Sequence, residues 1–260
     1  MEKSERMPWL IRELQKEMPE YDGYAIPSDP GEQWQLLRSL FNVRPPQEAS
    51  EEFLTVQDAF LQDMTAEKGV TDCRTLTPVK RNPKLFLWQG DITTLSCDAI
   101  VNAANSQMLG CFVPCHGCID NIIHTMSGVQ LRLACSEIMR KQGHPEPTGS
   151  AKITPGFNLP AKHVLHTVGP IVNSVLLRQH KELLADCYRA CLDLASDNGA
   201  RSVAFCCIST GVFHFPRRQA AEIAVETVEK RLQSDSSVER VIFNVFSHDD
   251  FLTYQALLGE

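Results

Sequence analysis

Hydrophobic residues recur every three or four positions through the first eighty residues, which is the spacing of amphipathic helices. One helical stretch begins at Pro8, a second at Asp29 and a third after Pro45. Asp29 is a typical N-cap, and Pro30 suits the first turn of a helix. The pattern predicts about three helices in residues 1–80. We expect them to pack on the rest of the chain, because so small a segment is marginally stable alone.

From residue 84 onward the hydrophobic positions form short runs typical of buried strands, and these runs alternate with segments of helical spacing. The predicted strands are LFLWQGDI, residues 99–101, HVLHTVGP, SVAFCCIST and VERVIFNVF. The predicted helices are residues 119–141, 176–198, 216–235 and 248–260. Alternating strands and helices predict a three-layer α/β/α domain, which we place in residues 81–260 with residues 1–80 as a helical extension.

The overall composition is that of a globular protein, with 43% hydrophobic and 22% charged residues, which excludes a disordered or collagen-like chain. A net charge of −7 argues against a broad surface for duplex DNA, so we expect no nucleic-acid partner. The N-terminal sequence lacks the apolar core of a signal peptide, and no window has the length of a transmembrane helix. We therefore expect a cytoplasmic, monomeric protein with no membrane contact.

The unusual feature of the composition is ten cysteines. Thiols stay reduced inside cells, and a chain of this length builds a core without disulfides, which leaves burial, catalysis or metal binding. Three cysteines and one histidine fall within eight residues, in the sequence CFVPCHGC that begins at Cys111. Sulfur and imidazole ligands suit Zn²⁺, and Cys111, His116 and Cys118 would leave a fourth position open for catalysis. A fourth ligand, Cys115, would close the site, and a reduced loop without metal is the ordinary alternative.

Two polar motifs follow the first two predicted strands, and the strand ends of open α/β sheets are where ligands bind. The first is GDIT, whose Asp91 could accept a hydrogen bond from an exocyclic amine such as that of adenine. The second is VNAAN, whose Asn102 and Asn105 could bond ribose hydroxyls. The alternative for each motif is that these side chains simply close turns. His166, within the third predicted strand, is interpreted as a core histidine.

A glycine-containing loop, STGVF, follows the fourth predicted strand. Its successive backbone N–H groups could hold phosphates without a basic side chain, although it could also be an ordinary strand-to-helix connection. Asp120 stands directly after the cysteine-rich segment, where a helix begins. A carboxylate there could take a proton from water, or it could serve only as a helix N-cap or first-turn acid.

Together, GDIT, VNAAN and STGVF resemble the macrodomain family, whose members bind ADP-ribose and in some cases remove it from proteins. The resemblance covers the chain from Pro83 to the C-terminus and implies a three-layer α/β/α macrodomain with a mixed central sheet. Many hydrolytic macrodomains have a glycine-rich loop where this chain has its Cys/His segment. That segment resembles the zinc-containing macrodomain subfamily, whose members reverse protein ADP-ribosylation and carry an N-terminal helical extension.

The resemblance implies a role for each motif residue. Asp120 and Asn105 would be catalytic, and the zinc ligands would be Cys111, His116 and Cys118. The ADP-ribose contacts would be Asp91 and Ile92 at adenine, Asn102 and Asn105 near the distal ribose, Ser209, Thr210, Gly211, Val212 and Phe213 at the diphosphate, and Phe246 against adenine.

The activity that the resemblance implies is zinc-dependent hydrolysis, which removes mono-ADP-ribose from protein side chains by cleaving at C1″ of the distal ribose. The implied partners are mono-ADP-ribosylated proteins, a sirtuin-like ADP-ribosyltransferase and its lipoylated carrier-protein target. Alternatives are a non-catalytic ADP-ribose reader with a structural zinc and an O-acetyl-ADP-ribose deacetylase. A redox or zinc-storage protein would explain the cysteines but not the three motifs together.

Overall fold

Helices make up most of the N-terminal segment in the computed structural model, which describes residues 1–234 and 237–259. These helices are α1 (Lys3–Glu17), α2 (Pro30–Val43) and α3 (Glu51–Lys68). Asp29 caps α2 as predicted, and its carboxylate accepts the Glu32 N–H at 2.9 Å. Helix α1 begins at Lys3 rather than at Pro8, so the proline lies inside the helix. Because proline has no N–H, the Ser4 carbonyl lacks its helical hydrogen bond. This loss is tolerated because Ser4 is exposed to water.

The rest of the chain forms a three-layer α/β/α fold. Its strands are β1 (Thr71–Asp72), β2 (Pro78–Val79), β3 (Asn82–Gln89), β4 (Leu95–Ser96), β5 (Ala99–Ala104), β6 (Ala151–Pro155), β7 (His163–Val168), β8 (Ser202–Phe205) and β9 (Arg240–Val245). Its helices are α4 (Ile119–Ser127), α5 (Val129–Gln142), α6 (Arg178–Asp197), α7 (Arg217–Gln233) and α8 (His248–Leu258). The main sheet has seven strands in the order β2-β3-β9-β8-β5-β7-β6. The sheet is mixed because β2 and β6 run antiparallel to their neighbours.

Besides the start of α1, further elements differ from the sequence prediction, and the short strands β1, β2 and β4 were not predicted. The helix predicted over residues 119–141 is broken at Gly128, whose φ of 92° cannot continue a helix. Strand β6 was not predicted because it is a half-buried edge strand that ends in a proline. The predicted helix end at residue 235 and the chain end at residue 260 lie outside the described residues.

The three N-terminal helices pack around a separate hydrophobic cluster. It is built from Leu10, Ile11, Leu14, Met18, Leu37, Leu40, Phe41, Phe53 and Leu61. Val129, at the start of α5, belongs to the same cluster, so these helices pack on the α/β part of the chain. None of the helices in the described part of the chain combines the length and hydrophobicity that a bilayer crossing requires.

Candidate active site

Two adjoining cavities lie at the carboxyl ends of the parallel strands. We call residues 209–213 the β8 loop and residues 110–118 the cysteine loop. The β8-loop cavity has a volume of about 350 Å³ and contains Phe246, and the cysteine-loop cavity has a volume of about 450 Å³ and contains Asn105 and Asp120. Residues that line both cavities are Ala103, Cys118, Val212 and Phe213. The fold therefore brings sequence motifs that are more than a hundred residues apart into one continuous cleft.

The β8 loop presents backbone donors to its cavity. Turn hydrogen bonds close the loop on itself, from the Phe215 N–H to the Ser209 carbonyl at 3.0 Å and from the His214 N–H to the Gly211 carbonyl at 3.0 Å. Among the described residues, no acceptor is found for the N–H groups of Gly211, Val212 and Phe213. Three successive free N–H groups just before the N-terminus of α7 are an arrangement that binds phosphate.

Gly169 lies directly against Ser209, at the start of the β8 loop. We therefore expect Gly169→Ala to displace the loop. An added Cβ would lie 2.0 Å from Ser209 Oγ and 2.8 Å from Ile208 Cγ2. Overpacking of this kind costs about 1–3 kcal/mol in the free energy of unfolding, which urea denaturation measures. Gly211→Ala is the matched control, because an added Cβ there meets no atom within 4 Å. Equal stabilities of the two variants would contradict the assignment of Gly169 as the support of the loop.

Three residues of the cysteine loop form a group with the character of a metal site. The ligand atoms of Cys111, His116 and Cys118 all lie within 4.8 Å of one another, and the side chains are half-buried. Burial, with a smaller contribution from the neighbouring Cys111, raises the pKa of the Cys118 thiol to about 11. Two sulfurs with one imidazole nitrogen are a ligand set that suits Zn²⁺.

Cys115 does not join this group. Its thiol faces α2, where Sγ lies 3.3 Å from Ser39 Oγ and donates to the Gln35 carbonyl at 3.3 Å. Within residues 1–234 and 237–259, no further Cys, His, Asp or Glu places a ligand atom in the group. Three ligands without a fourth are the pattern of catalytic rather than structural zinc sites.

Asp120 lies in the first turn of α4 and is only 4% exposed. Its Oδ1 accepts a hydrogen bond from Asn102 Nδ2 at 2.8 Å, and its Oδ2 accepts one from Asn105 Nδ2 at 3.3 Å. Burial raises the pKa of Asp120 to about 6, against the opposing effects of these hydrogen bonds and of the nearby Arg132 guanidinium. A carboxyl group with a pKa near neutrality is suited to proton transfer.

Asn102 is fully buried and contacts Asp120 rather than either cavity. Its amide also donates to His166 Nδ1 at 3.1 Å, so the imidazole proton is on Nε2 and is donated to Thr154 Oγ1 at 2.9 Å. Both ring nitrogens of His166 are thus satisfied, as expected for a core histidine. The chain of hydrogen bonds orients the amide that holds Asp120.

We expect His166 to make the protein acid-sensitive. Burial lowers its pKa from 6.5 to about 3, so between these values the unfolded chain binds the proton and the folded chain does not. The free energy of unfolding should therefore fall with decreasing pH in this window, by about 1.4 kcal/mol per pH unit for this group. Urea titrations at pH 7, 6 and 5 should give a shallower pH dependence for His166→Gln than for the wild type. Parallel curves would refute this contribution.

Asp91 and Ile92 line neither cavity. Asp91 caps a short turn by accepting the Thr93 N–H at 3.0 Å, and its other carboxylate oxygen accepts from Lys68 Nζ at 3.1 Å. Ile92 is 2% exposed. Their contact with adenine stays a prediction.

Asn244 is a cavity residue that the sequence analysis did not single out. It lines the β8-loop cavity, and its side-chain amide donates to the Gly90 carbonyl at 3.0 Å. The sequence feature that could have identified Asn244 is its position as a single asparagine inside the apolar run VIFNVF of β9. Phe246 stands directly beyond that run, and its side chain is 81% exposed at the same cavity.

Comparisons with known proteins agree with this fold. A family model for the Macro domain matches residues 101–224. A protein-ADP-ribose hydrolase of Treponema medium is 55% identical over an alignment of 261 positions, which covers all of this chain and all of that one. A protein of Fusarium oxysporum f. sp. cubense, named "Probable bifunctional ADP-ribose hydrolase/ADP-ribosyltransferase", is 43% identical over 86% of this chain and 40% of its own length.

Among solved structures, the Trypanosoma brucei macrodomain in complex with ADP-ribose matches with a TM-score of 0.66 and 30% identity. The match covers 90% of this chain and 97% of that one. The Treponema medium relative is similar over the N-terminal helices as well as over the α/β part. The chain therefore belongs to the macro domain family.

Proposed function

We propose that the protein hydrolyses the bond between mono-ADP-ribose and the side chains of modified proteins, with Zn²⁺ at the cysteine loop. The observation that carries this proposal is the junction of the two cavities. Backbone N–H groups suited to a phosphate line one cavity, and the buried Asp120 lies beside a zinc-type ligand group in the other. The full-length similarity to a relative named protein-ADP-ribose hydrolase supports it.

The ligand would lie along the cleft, with its diphosphate on the N–H groups of the β8 loop and its adenine against Phe246. The distal ribose would then reach Asn105 in the cysteine-loop cavity. Asp91 Oδ2, which among the described residues accepts from Lys68 alone, would accept from the adenine amine beside Ile92. Backbone donors explain how a chain with a net charge of −7 holds an anionic ligand.

In the proposed reaction, water adds at C1″ of the distal ribose, the bond from C1″ to the acceptor atom breaks, and the released side chain takes up a proton. Asp120 would accept the proton of the attacking water, and Asn102 and Asn105 would hold its carboxylate in place. Cys111, His116 and Cys118 would bind Zn²⁺, which supplies a Lewis acid that lowers the pKa of water or fixes a ribose hydroxyl.

The partners that we propose are mono-ADP-ribosylated proteins, in particular a lipoylated carrier protein that a sirtuin-like ADP-ribosyltransferase modifies. The fungal relative supports a link to such a transferase, because its name joins an ADP-ribose hydrolase and an ADP-ribosyltransferase in one chain. We propose that the protein acts as a monomer in the cytoplasm, where its thiol ligands stay reduced.

We also propose that residues 1–80 are a helical extension of a zinc-containing macrodomain formed by residues 81–260. The hydrophobic cluster that α1, α2 and α3 share supports this division. Strands β1 and β2 precede residue 81 in the chain, although they pair with β4 and β3 of the α/β part.

The test is incubation of the purified protein with mono-ADP-ribosylated proteins that carry carboxylate, hydroxyl or guanidinium linkages. We expect release of free ADP-ribose from at least one linkage, and chromatography detects the released ADP-ribose. Binding of ADP-ribose without release from any of them would identify a non-catalytic reader. Activity on O-acetyl-ADP-ribose alone would identify a small-molecule deacetylase.

A further inference from the structure

The cysteine loop is held from outside the α/β fold by α2. Arg38, in the middle of that helix, donates through Nη2 to the His116 carbonyl at 2.7 Å and to Asn121 Oδ1 at 2.8 Å. Its Nε also donates to Asn121 Oδ1, at 3.3 Å. One guanidinium therefore fixes the backbone of one proposed zinc ligand and the amide of a residue in α4.

Asn121 passes this constraint to the rest of the loop. It is fully buried, and its Nδ2 donates to the Val113 carbonyl at 2.9 Å and the Cys111 carbonyl at 3.4 Å. Its backbone N–H donates to Cys118 Sγ at 3.4 Å. Since Arg38 occupies Oδ1 of the side chain, the Nδ2 end must face the loop carbonyls.

The turn at Cys115 is held by the same helix. Cys115 has a left-handed φ of 52°, which is unfavourable for a residue with a Cβ. Its N–H donates to Asn42 Oδ1 at 2.9 Å, and Asn42 Nδ2 donates to Thr125 Oγ1 at 3.0 Å. The turn that brings His116 back towards Cys111 thus depends on a side chain of α2.

A buried cation joins the start of the loop to the end of α2. Arg132 donates through Nη1 to the Phe41 carbonyl at 3.0 Å and through Nε to the Leu109 carbonyl at 2.7 Å. Its guanidinium carbon lies 4.1 Å from the ring centre of Phe112. The carbonyls at a helix C-terminus favour a positive charge, so α2 and the cysteine loop share this arginine.

We propose that Arg38 is a positioning residue of the metal site, and that α2 is a functional part of that site. Three ligands from one short loop bind an ion tightly only if the loop is already ordered, because ordering it on binding costs conformational entropy. Arg38 orders it through charge-assisted bonds to the His116 carbonyl and Asn121. This inference rests on the zinc site of the proposed function.

The test measures zinc affinity by competition with a chelator, in the full chain. Arg38→Ala should weaken zinc binding about 10- to 100-fold, the usual effect of an outer-shell partner. Arg38→Lys should recover part of the affinity, since an ammonium can serve the His116 carbonyl but cannot reproduce the forked geometry. The control is Gln57→Ala, which removes a comparable buried tie between α3 and the backbone N–H of Val129, away from the loop.

Thermal unfolding of all variants separates positioning from stability. A drop in zinc affinity for Arg38→Ala but not for Gln57→Ala, at similar melting temperatures, would support the proposal. Equal zinc affinities in these two variants would overturn it, and Asn42→Ala gives the same comparison if Arg38→Ala does not fold. A wild-type chain that binds no zinc would overturn it together with the zinc site, whereas ADP-ribose release tests the rest of the proposed function.

Discussion

Asp120→Asn is expected to lower the rate of ADP-ribose release by about 10²- to 10⁴-fold, the usual contribution of a general base. The amide has the shape of the carboxylate but cannot take a proton from water. Affinity for free ADP-ribose should change by only a few-fold, because the diphosphate donors lie in the β8 loop. Single-turnover hydrolysis and calorimetric titration of ADP-ribose measure the two quantities separately.

The matched control for this change is Asp58→Asn. Asp58 is a half-buried carboxylate that, like Asp120, accepts amide hydrogen bonds, from Gln130 Nε2 at 3.0 Å and Asn158 Nδ2 at 2.6 Å. It lines neither cavity, so its variant should keep the wild-type rate. If Asp120→Asn kept that rate as well, Asp120 would not be the base. If rate and ADP-ribose affinity fell together, Asp120 would act only by holding the cleft in shape.

Cys118→Ser should remove the metal and with it the hydrolytic activity. Serine is a good N-cap, so the start of α4, which Cys118 now caps, should survive the change. Loss of one of three ligands should weaken zinc binding by more than about 100-fold, since outer-shell changes alone cost up to that much. Mass spectrometry of the metal content after dialysis against a chelator gives the result.

Cys115→Ser is the control for this loop, because its thiol faces α2 instead of the ligand group. It should retain one zinc per chain. Stoichiometric zinc in Cys118→Ser would show that the ion is held elsewhere. Equal loss of zinc from both serine variants would mean that the loop responds to any change in its cysteines.

The sequence was sufficient for the parts of the site that depend on local order along the chain. Ser209 to Phe213 directly follow a strand, and Asp120 directly follows the cysteine loop, so chain order alone brings them to the sheet edge. The three-ligand group was predictable for the same reason, because its spacing is contained in eight residues. The break at Gly128 was not, since a single glycine inside a helical pattern is usually tolerated.

Contacts between distant parts of the chain were beyond the sequence. Arg38 and Asn121 are 83 positions apart, and nothing in the spacing of α2 distinguishes Arg38 from an exposed helix residue. The direction of the Cys115 thiol also depends on α2, so the sequence could not decide whether it was a fourth ligand. For Asp91 the difficulty is local. The same motif is explained by a carboxylate that caps a turn and by one that binds a ligand, so the sequence cannot distinguish the two roles.

Because α2 orders the cysteine loop through Arg38 and Asn42, the loop alone is not sufficient to transfer the proposed metal site to another protein. The Macro domain model covers residues 101–224, which include every proposed zinc ligand but not Arg38 or Asn42. A graft of residues 110–118 into a macrodomain without such a helix would therefore carry the ligands without the groups that order them. The smallest transferable unit of the proposed metal site is therefore discontinuous in sequence and joins one helix of the N-terminal segment to one loop of the sheet.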